Sequence, residues 1–330
     1  TVTYSTPTAT DNCPGVGVAL TAGSASGSSF PSGTNTVTYT ATDATGNTAS
    51  CSFTITVSDD DAPTISGCPS SISVGNTSGQ CSATVNWSAP TATDNCPGVT
   101  VALTSGQSPG STFSLGTVAI QYTATDAAGN TALCNFNVTV SDTENPTISC
   151  PSNISVPNAS GQCGATVSFA SATFADNCPG ATLAQTAGSV SGSFLSVGTQ
   201  TITYVATDGS SNTATCSFTV TVTDDEDPVF LNCPANLTAN TDAGVCTAMV
   251  NYATLLANDN CDGTVAPVQS AGQASGTAFG IGVTTNTFTA TDAAGNVGTC
   301  SFTVTVSDDE APQMNCPSDQ IVTFDGSCQY

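Results

Sequence analysis

Residues 123–140 read TATDAAGNTALCNFNVTV and decide the fold, because two segments of alternating apolar and polar residues flank a turn that contains Gly129 and Asn130. Such alternation on both sides of a glycine-containing turn is typical of a β-hairpin. The phrase returns as TATDATGNTASCSFTITV at residues 40–57, as VATDGSSNTATCSFTVTV at 205–222 and as TATDAAGNVGTCSFTVTV at 289–306. The chain is therefore predicted to repeat one β-rich unit.

The repeat has a period of about 83 residues, since its corresponding cysteines lie 82 to 84 residues apart. Within one period, residues 72–74 and 82–87 are predicted to form a first hairpin, and residues 99–104 a middle strand. About seven short strands per period and no helical pattern predict an all-β chain of tandem immunoglobulin-like β-sandwich domains in an elongated rod. One repeat position is always aromatic and is expected in the core: Tyr4, Trp87, Phe169 and Tyr252.

The domain boundaries follow from the same alignment of repeats. The predicted domains are a partial repeat that lacks its first strands (1–58), three whole repeats (61–141, 144–223 and 227–307), a partial repeat with first strands only (310–330), and acidic linkers at 59–63, 142–146, 224–228 and 308–312. The sequence is read as a window on a longer array, because arrays of this kind are usually long. The alternative is a filament subunit in which residues 310–330 complete residues 1–58 of the next copy by strand donation.

Composition excludes several classes of function. The 330 residues contain no Lys, Arg or His against 24 Asp plus Glu, which gives a formal charge of −24. Without side-chain cations the chain cannot neutralise phosphates, so nucleic acids and anionic membranes are excluded as partners. Enzymatic activity is not expected, because the usual general base and amine nucleophile are absent. No apolar run approaches the roughly 20 residues of a membrane span, so membrane insertion is not expected.

The acidic residues occupy three repeated places. Twelve lie in the linkers: Asp59, Asp60, Asp61, Asp142, Glu144, Asp224, Asp225, Glu226, Asp227, Asp308, Asp309 and Glu310. Four open the Asp-Asn-Cys phrase: Asp11, Asp94, Asp176 and Asp259. Four precede the turn of the second hairpin: Asp43, Asp126, Asp208 and Asp292.

Strand polarity predicts that these three places converge where one repeat meets the next. At the first junction the group is Asp59, Asp60, Asp61, Asp94, Asn95 and Asp126, and Asn177 and Asn260 hold the place of Asn95 in later repeats. Carboxylates gathered without Lys or Arg repel one another unless a cation lies among them, and oxygen ligands suit Ca²⁺. Calcium is therefore the expected cofactor. In the alternative interpretation the turn Asp residues only accept bonds from backbone amides, and the linker acids only keep a junction solvated.

Sixteen cysteines in a chain without His indicate disulfides and an oxidising, extracellular location. Each whole repeat carries four cysteines, which permit three pairings. A simple hairpin would place the second and third cysteine of a repeat at opposite poles. A zinc site is not favoured, because the chain contains no Cys-x-x-Cys.

Several phrases together resemble the hyalin repeat (HYR) family: an acidic linker with Pro and then Cys-Pro, GQCSATVNW, ATDN, YTATDAAGN and a final CxFxVTVxD. The resemblance implies an immunoglobulin-like extracellular module found in animal adhesion proteins and in very large bacterial surface proteins. The extra cysteine pair and the Lys-free composition resemble the bacterial kind, of the Bacteroidota. The resemblance also implies bonds between the first and fourth cysteine: Cys68–Cys134, Cys150–Cys216 and Cys233–Cys300. It leaves Cys81–Cys96, Cys163–Cys178 and Cys246–Cys261 as second pairs. Cys13, Cys51, Cys316 and Cys328 are then expected to pair with a neighbouring chain or with further sequence of a longer array.

The resulting expectation is a non-enzymatic, secreted, cell-surface protein: a disulfide-stapled, calcium-stiffened rod or filament stalk of an adhesin. Its expected partners are other repeats of the same chain or end-to-end copies of itself. The alternative is a multivalent module that binds surface glycans or proteins through loops such as residues 102–110. The residues of these loops are small and uncharged, which favours a spacer over a binding module.

Overall fold

A computed structural model describes residues 1–321 and residue 326. The described residues contain β-strands and no helix, which confirms the predicted all-β class. Accordingly, no helix in this part of the chain is long and apolar enough to cross a membrane. Compact packing divides the chain into two units. The first comprises Thr1–Asn145 with the loops Asp176–Ala181 and Asp208–Asn212; the second comprises Pro146–Ala175, Thr182–Thr207 and the described residues from Thr213 onward.

The first repeat contains one sheet and the second a complete immunoglobulin-like sandwich. The strands of the first repeat are β1 (Gly17–Ala22), β2 (Gly33–Thr42) and β3 (Thr48–Val57), in sheet order β1-β2-β3. Those of the second are β4 (Thr64–Ser66), β5 (Ile72–Gly75), β6 (Ser82–Val85), β7 (Thr91–Thr93), β8 (Thr100–Ser105), β9 (Ser111–Ser114), β10 (Gly116–Thr125) and β11 (Thr131–Ser141). They form a four-stranded sheet, β5-β11-β10-β8, and the pairs β4-β7 and β6-β9.

The third and fourth repeats have the same plan. The third contains β12 (Thr147–Ser149), β13 (Ile154–Pro157), β14 (Gly164–Val167), β15 (Thr173–Ala175), β16 (Thr182–Ala187), β17 (Ser193–Ser196), β18 (Gly198–Thr207) and β19 (Thr213–Thr223). The fourth contains β20 (Val229–Phe230), β21 (Leu237–Asn240), β22 (Thr247–Val250), β23 (Ala257–Asp259), β24 (Gly263–Val265), β25 (Val268–Ala271), β26 (Thr277–Gly280), β27 (Gly282–Thr291) and β28 (Val297–Ser307). Their four-stranded sheets have the orders β13-β19-β18-β16 and β21-β28-β27-β25.

The second hairpin of each repeat forms as predicted, whereas the first does not. Strands β10 and β11 pair antiparallel from Gly116↔Val140 to Thr125↔Thr131. Strand β5, however, pairs in parallel with β11, and β6 pairs with β9. The prediction of a β5–β6 hairpin was wrong because the apolar residues of both strands must face one core. They do so from opposite sheets of the sandwich, and the intervening loop crosses between them.

The core of each sandwich is apolar and contains an aromatic pair at a fixed position. In the second repeat Phe113, Ile120 and Val138 are at most 1% exposed. Trp87 packs against Phe136 with ring centroids 5.4 Å apart, and its Nε1 donates to the Tyr122 hydroxyl at 3.2 Å. The equivalent pairs are Tyr4–Phe53 at 5.0 Å, Phe169–Phe218 at 5.3 Å and Tyr252–Phe302 at 5.0 Å. The aromatic residue predicted for the core is thus partly buried against the last strand in every repeat.

Candidate functional site

The linker and two turns converge at the start of each complete repeat. Strand β4 begins directly after the first linker, and β7 runs antiparallel to it, so that β7 ends beside the linker and delivers Asp94 there. In the later repeats the linker begins where the long last strand ends, since Asp142 follows β11 and Asp224 follows β19. The convergence predicted from strand polarity is therefore present for the first linker residue and the Asp of the Asp-Asn-Cys phrase.

Three groups of equivalent residues lie close enough to share one ion, and we call each a junction trio. In each trio a carboxylate oxygen from each of the two Asp residues and the Cys sulfur lie within 4.8 Å of one another. The trios are Asp59, Asp94 and Cys96; Asp142, Asp176 and Cys178; and Asp224, Asp259 and Cys261. The second trio lies within the first compact unit and the third within the second unit.

The two oxygens of a trio carboxylate can have different environments. One oxygen of Asp176 accepts the Cys178 amide at 2.8 Å, and one oxygen of Asp259 accepts the Cys261 amide at 2.7 Å. Asp142 and Asp259 are only 6% and 3% exposed. Even so, Asp142 Oδ2, Asp176 Oδ1 and Asp259 Oδ2 are buried without a hydrogen-bond partner among the described residues. A buried carboxylate oxygen without a donor is costly, and a cation is one kind of group that can satisfy it.

Electrostatics in the third trio agree with this geometry. Burial raises the pKa of Asp224, and the charges of Asp259, Asp292 and Asp262 raise it further, although the Glu226 amide acts against them. The carboxylates of this trio therefore repel one another, and the chain has no side-chain cation to relieve that repulsion.

The Asp residues before the hairpin turn act through a neighbouring Asn. Asp126 accepts the side-chain amide of Asn130 at 2.8 Å, and the same amide nitrogen donates to the Asp59 carbonyl at 3.0 Å. Asn212 and Asn296 repeat this bridge to the carbonyls of Asp142 and Asp224, both at 3.3 Å. Burial raises the pKa of Asp126, but the bonds from Asn130 and the turn amides outweigh burial and hold that pKa below its ordinary value. The same balance lowers the pKa of Asp208 and Asp292.

Sequence reasoning missed these bridging asparagines. The signal was present, since Asn47, Asn130, Asn212 and Asn296 close the turn in all four repeats. The turn carboxylates Asp126, Asp208 and Asp292, predicted as calcium ligands, thus lie outside the trios and hold the linker backbone through Asn.

The linker Glu residues do not belong to the trios. Glu144 Oε2 accepts the Gly79 amide at 2.8 Å in the loop before β6. Glu226 accepts the equivalent Gly161 amide at 2.9 Å, and Glu310 the Gly244 amide at 3.0 Å. The Ser78 hydroxyl and then the Gly79 amide lower the pKa of Glu144. These three predicted ligands are therefore occupied as caps of a loop in the preceding repeat.

The remaining predicted ligands are scattered. Asp61 accepts a hydrogen bond from the side-chain amide of Asn95 at 3.2 Å, and Asp309 accepts one from the side chain of Asn240 at 2.6 Å. Backbone amides donate to the other three: Val297 to Asp227 at 3.0 Å, Glu310 to Asp308 at 3.1 Å and Cys13 to Asp11 at 3.3 Å. Asp60 and Asp225 are exposed. Asp43 accepts bonds from its own turn, and the Asn47 side chain is the largest influence that lowers its pKa to about 2. Asp11, Asp43 and Asp308 therefore accept amides of their own turns, whereas Asp61, Asp227 and Asp309 accept bonds from residues distant in sequence.

Ten of the described cysteines form five disulfides. Cys68–Cys134, Cys150–Cys216 and Cys233–Cys300 join the first and fourth cysteine of a repeat, as the family resemblance implied. The other two join successive repeats: Cys81 to Cys178, and Cys163 to Cys261. Their Cα atoms are 4.9 and 4.6 Å apart.

The predicted second pairs, Cys81–Cys96, Cys163–Cys178 and Cys246–Cys261, are wrong. The second cysteine of a repeat lies at the pole where that repeat ends, and the third lies at the pole where it begins. The third cysteine therefore meets the second cysteine of the preceding repeat. Side-chain amides fix the same contact, because Asn177 donates to the Gln80 carbonyl at 3.2 Å and Asn260 to the Gln162 carbonyl at 3.0 Å.

Five further cysteines have no bond within residues 1–321: Cys13, Cys51, Cys96, Cys246 and Cys316. Of these, Cys96 is partly buried and the other four are exposed. The prediction for Cys328 falls outside the described residues.

The fold and the junctions define a class: a protein of tandem immunoglobulin-like sandwiches joined by acidic linkers and disulfides. The chain belongs to the HYR domain family, whose profile matches residues 1–57, 58–140, 141–222 and 223–306.

The chain is also similar to known proteins of this family. It is 36% identical to Hyalin of Strongylocentrotus purpuratus over 98% of the chain and 28% of that protein. It is 34% identical to Hyalin of Lytechinus variegatus over 97% of the chain and 61% of that protein. A rat protein described as "Sushi, von Willebrand factor type A, EGF and pentraxin domain-containing protein 1" is 38% identical over 50% of the chain and 4% of its own length. Because these relatives come from sea urchins and a rodent, they do not support a bacterial origin, which stays a prediction from composition.

Solved structures match the chain at low identity and low TM-score. The protocadherin GammaB4 extracellular domain matches with a TM-score of 0.34 and 15% identity, over 90% of this chain and 60% of that one. Mouse cadherin-23 EC22-24 matches with a TM-score of 0.31 and 16% identity, over 76% of this chain and 100% of that one.

Proposed function

We propose that the chain is a non-enzymatic, extracellular structural protein whose HYR repeats form the stalk of an adhesin. The family, the disulfides and the sequence similarity to Hyalin support an extracellular adhesion or structural role. The chain spans 28% and 61% of the two Hyalin relatives, so the activity of the whole protein is part of the proposal.

The finer part of the proposal is that calcium occupies the junction trios. It rests on one observation: Asp142 and Asp259 are buried, and each has an oxygen without a partner beside a second Asp. These atoms fit a hard cation, since Ca²⁺ prefers carboxylate and carbonyl oxygens and accepts six to eight of them. The two Asp residues supply some of these ligands, and backbone carbonyls or water supply the rest. The sulfurs of Cys178 and Cys261 are bonded to other cysteines and are poor ligands for a hard ion.

The mechanism is mechanical. An ion in a trio binds a linker residue and a turn of the following repeat together, so the angle at the linker is fixed while the ion is bound. The Asn130 bridge to the Asp59 carbonyl and its equivalents also hold the linker backbone. Calcium at the junctions would thus stiffen the stalk into a rod.

A calorimetric titration of the oxidised chain with Ca²⁺, after treatment with a chelator, tests this proposal. Extracellular modules bind calcium with Kd of roughly 10⁻⁴ to 10⁻³ M, so binding in that range is expected. Asp176→Asn should remove one site and Asp259→Asn another, because each variant loses a trio carboxylate. Asp60→Asn is the matched control, since Asp60 is exposed and belongs to no trio. Absence of binding at millimolar Ca²⁺, or equal loss of binding in the control, would contradict the calcium proposal.

A further inference from the structure

The second junction trio lies on a ring of contacts that also contains a disulfide between repeats. Asn76 holds the linker on both sides of Asp142: its backbone amide donates to the Ser141 carbonyl at 2.9 Å, and its side chain accepts the Thr143 amide at 3.0 Å. Asn76 also opens the loop of residues 76–81, which ends in a cysteine and which we call a cysteine loop. Asp142 is therefore tied to the cysteine loop of its own repeat.

The other half of the ring belongs to the following repeat. Cys178 bonds to Cys81 at the end of the cysteine loop, and the Cys178 amide donates to Asp176 at 2.8 Å. Asp176 lies beside Asp142 in the trio, so the path returns to its starting point. Every step of this ring is a covalent or hydrogen bond except the last, where two carboxylates meet.

The third junction contains the same ring. Asn158 holds the linker on both sides of Asp224, since it donates to the Thr223 carbonyl at 2.8 Å and accepts the Asp225 amide at 3.2 Å. The remaining steps are the bond Cys163–Cys261, the Cys261 amide on Asp259 at 2.7 Å, and the trio contact between Asp259 and Asp224. The ring is thus a property of the repeat and not of one junction.

The open step of the ring brings two anions together. Asp142 Oδ2 and Asp176 Oδ1 are buried without a donor among the described residues, and the chain has no side-chain cation to place between them. Without an ion, closing the disulfide forces these carboxylates into one buried site, which costs free energy. With a calcium ion present, the same closure brings them together as ligands.

We propose that calcium in the second and third trios is coupled to the disulfides Cys81–Cys178 and Cys163–Cys261: the ion protects each bond against reduction, and each bond raises the affinity of its trio for the ion. This inference rests on the proposed occupancy of the trios by calcium. The ion and the disulfide close the same ring, so the link that forms first removes loop-closure entropy that the second would otherwise lose. The two effects are equal in size, because coupling free energies are reciprocal. Reduction of a bond between repeats therefore loosens the ion and with it the linker.

The first test measures the stability of the bonds. The oxidised chain is equilibrated with graded ratios of reduced to oxidised dithiothreitol, in millimolar Ca²⁺ or in a chelator at equal ionic strength, and its bonds are then mapped by mass spectrometry after alkylation and cleavage at acidic residues. The dithiol supplies two electrons and two protons, the sulfur–sulfur bond breaks to give two cysteine thiols, and the dithiol becomes a cyclic disulfide.

Calcium should raise the ratio that reduces half of Cys81–Cys178 or half of Cys163–Cys261 by about tenfold, within the range usual for coupled sites. Asp176→Asn removes a carboxylate of the second trio alone. This variant should lose the shift at Cys81–Cys178 and keep it at Cys163–Cys261, which serves as a control within the same molecule.

The second test measures the reciprocal effect by calorimetric titration with Ca²⁺. Cys81→Ser breaks the bond at the second junction without changing a trio residue, so one site should lose affinity by the same factor of about ten. Cys246→Ser is the matched control: Cys246 is the equivalent cysteine of the fourth repeat and has no bond within the described residues, so calcium affinity should be unchanged.

The outcomes separate this inference from the calcium proposal. If the oxidised chain binds calcium but Cys81→Ser binds it equally well and the reduction ratios do not move, the coupling is wrong and the calcium proposal stands. A shift at Cys81–Cys178 that persists in Asp176→Asn would also overturn the coupling. If the oxidised wild type binds no calcium, both proposals are wrong.

Discussion

At the scale of single residues, the chain uses Asp in two ways that its sequence does not separate. Asp43 is saturated by its own turn, where it accepts the amides of Thr45 and Asn47 and the Asn47 side chain, all at 2.8 Å. Asp142, in contrast, is buried with one oxygen unpartnered among the described residues. The first environment satisfies the carboxylate with donors from its own turn, whereas the second leaves one buried oxygen without a donor.

Replacing Asn47 should raise the pKa of Asp43. The Asn47 side chain is the largest influence on this group, so Asn47→Ala should move its pKa from about 2 towards the ordinary value near 3.9. Because the folded-state pKa is lowered, the stability that Asp43 contributes is present in full above the ordinary value and is lost as the pH falls towards 2. NMR titration of the Asp43 carboxyl carbon measures the shift. An unchanged pKa in Asn47→Ala would show that the backbone amides alone hold the carboxylate.

The effect of Asp142→Asn on thermal stability should change sign when calcium is added. In a chelator the variant is expected to unfold at a higher temperature than the wild type, because it removes a buried charge beside Asp176 and keeps the Oδ1 acceptor for the Glu144 amide. In Ca²⁺ at 100 times the Kd, the wild type should gain about 2.7 kcal/mol that the variant lacks. Scanning calorimetry with and without calcium measures both. Equal destabilisation in both buffers would mean that Asp142 has a structural role unrelated to an ion.

At the scale of elements, a glycine shapes the edge of the four-stranded sheet. Gly106 directly follows β8 and has a φ of 87°, next to the register shift between Gln121 and Tyr122. A Cβ at Gly106 would lie 2.7 Å from the Ala119 carbonyl oxygen, which cannot move without disturbing β10. Gly110 has a similar φ of 82° but open space around it.

These two glycines make a matched pair of variants. Gly110→Ala should cost about 1–2 kcal/mol for the left-handed backbone alone. Gly106→Ala should cost more, because the clash with the β10 backbone is added. Thermal unfolding of both variants measures the difference. Equal losses would show that the backbone at residue 106 relaxes to accept a side chain.

The second hairpin could be predicted from sequence, and the path of β5 could not. Alternation in residues 116–141 belongs to one local pair of strands, and the turn residues fix its register. Residues 72–75 and 82–85 alternate just as clearly, but alternation shows only which face is buried and not which strand is the neighbour. The parallel pairing of β5 with β11 joins residues 66 positions apart, and nothing local encodes that choice.

At the scale of the whole molecule, the bonds between repeats should make their unfolding cooperative. A bond across 98 residues is worth about 4.7 kcal/mol on the chain-entropy model, and one across 66 residues about 4.4 kcal/mol. We expect Cys163→Ser with Cys261→Ser to separate the unfolding of the third and fourth repeats into two calorimetric transitions. Cys150→Ser with Cys216→Ser removes a bond of similar size within one repeat. This double variant should lower the temperature of unfolding without separating the transitions of the two repeats. A single transition in the first double variant would mean that the repeats are coupled without that bond.

The sequence could support the placement of the trios but not the cysteine connectivity between repeats. Strand polarity placed Asp94 beside Asp59, and it also placed the second and third cysteines of a repeat at opposite poles. The pairing could not be predicted because four cysteines per repeat suggest bonds within each repeat, whereas Cys81 and Cys178 belong to adjacent repeats. The Glu caps at Gly79 and Gly161 could not be predicted, because they depend on side-chain geometry that a repeat pattern does not contain.

The two bonds between repeats also set the contour length of the chain if it is pulled apart. From Cys81 the covalent path crosses to Cys178, returns 15 residues to Cys163 and crosses again to Cys261. At roughly 3.5 Å per extended residue, this route measures about 50 Å, whereas the 180 residues of backbone between Cys81 and Cys261 would otherwise reach about 630 Å. Under force, the part of the chain between Cys81 and Cys261 can therefore extend no further than this short route, and the load passes through the two disulfides rather than through the folds that they bypass.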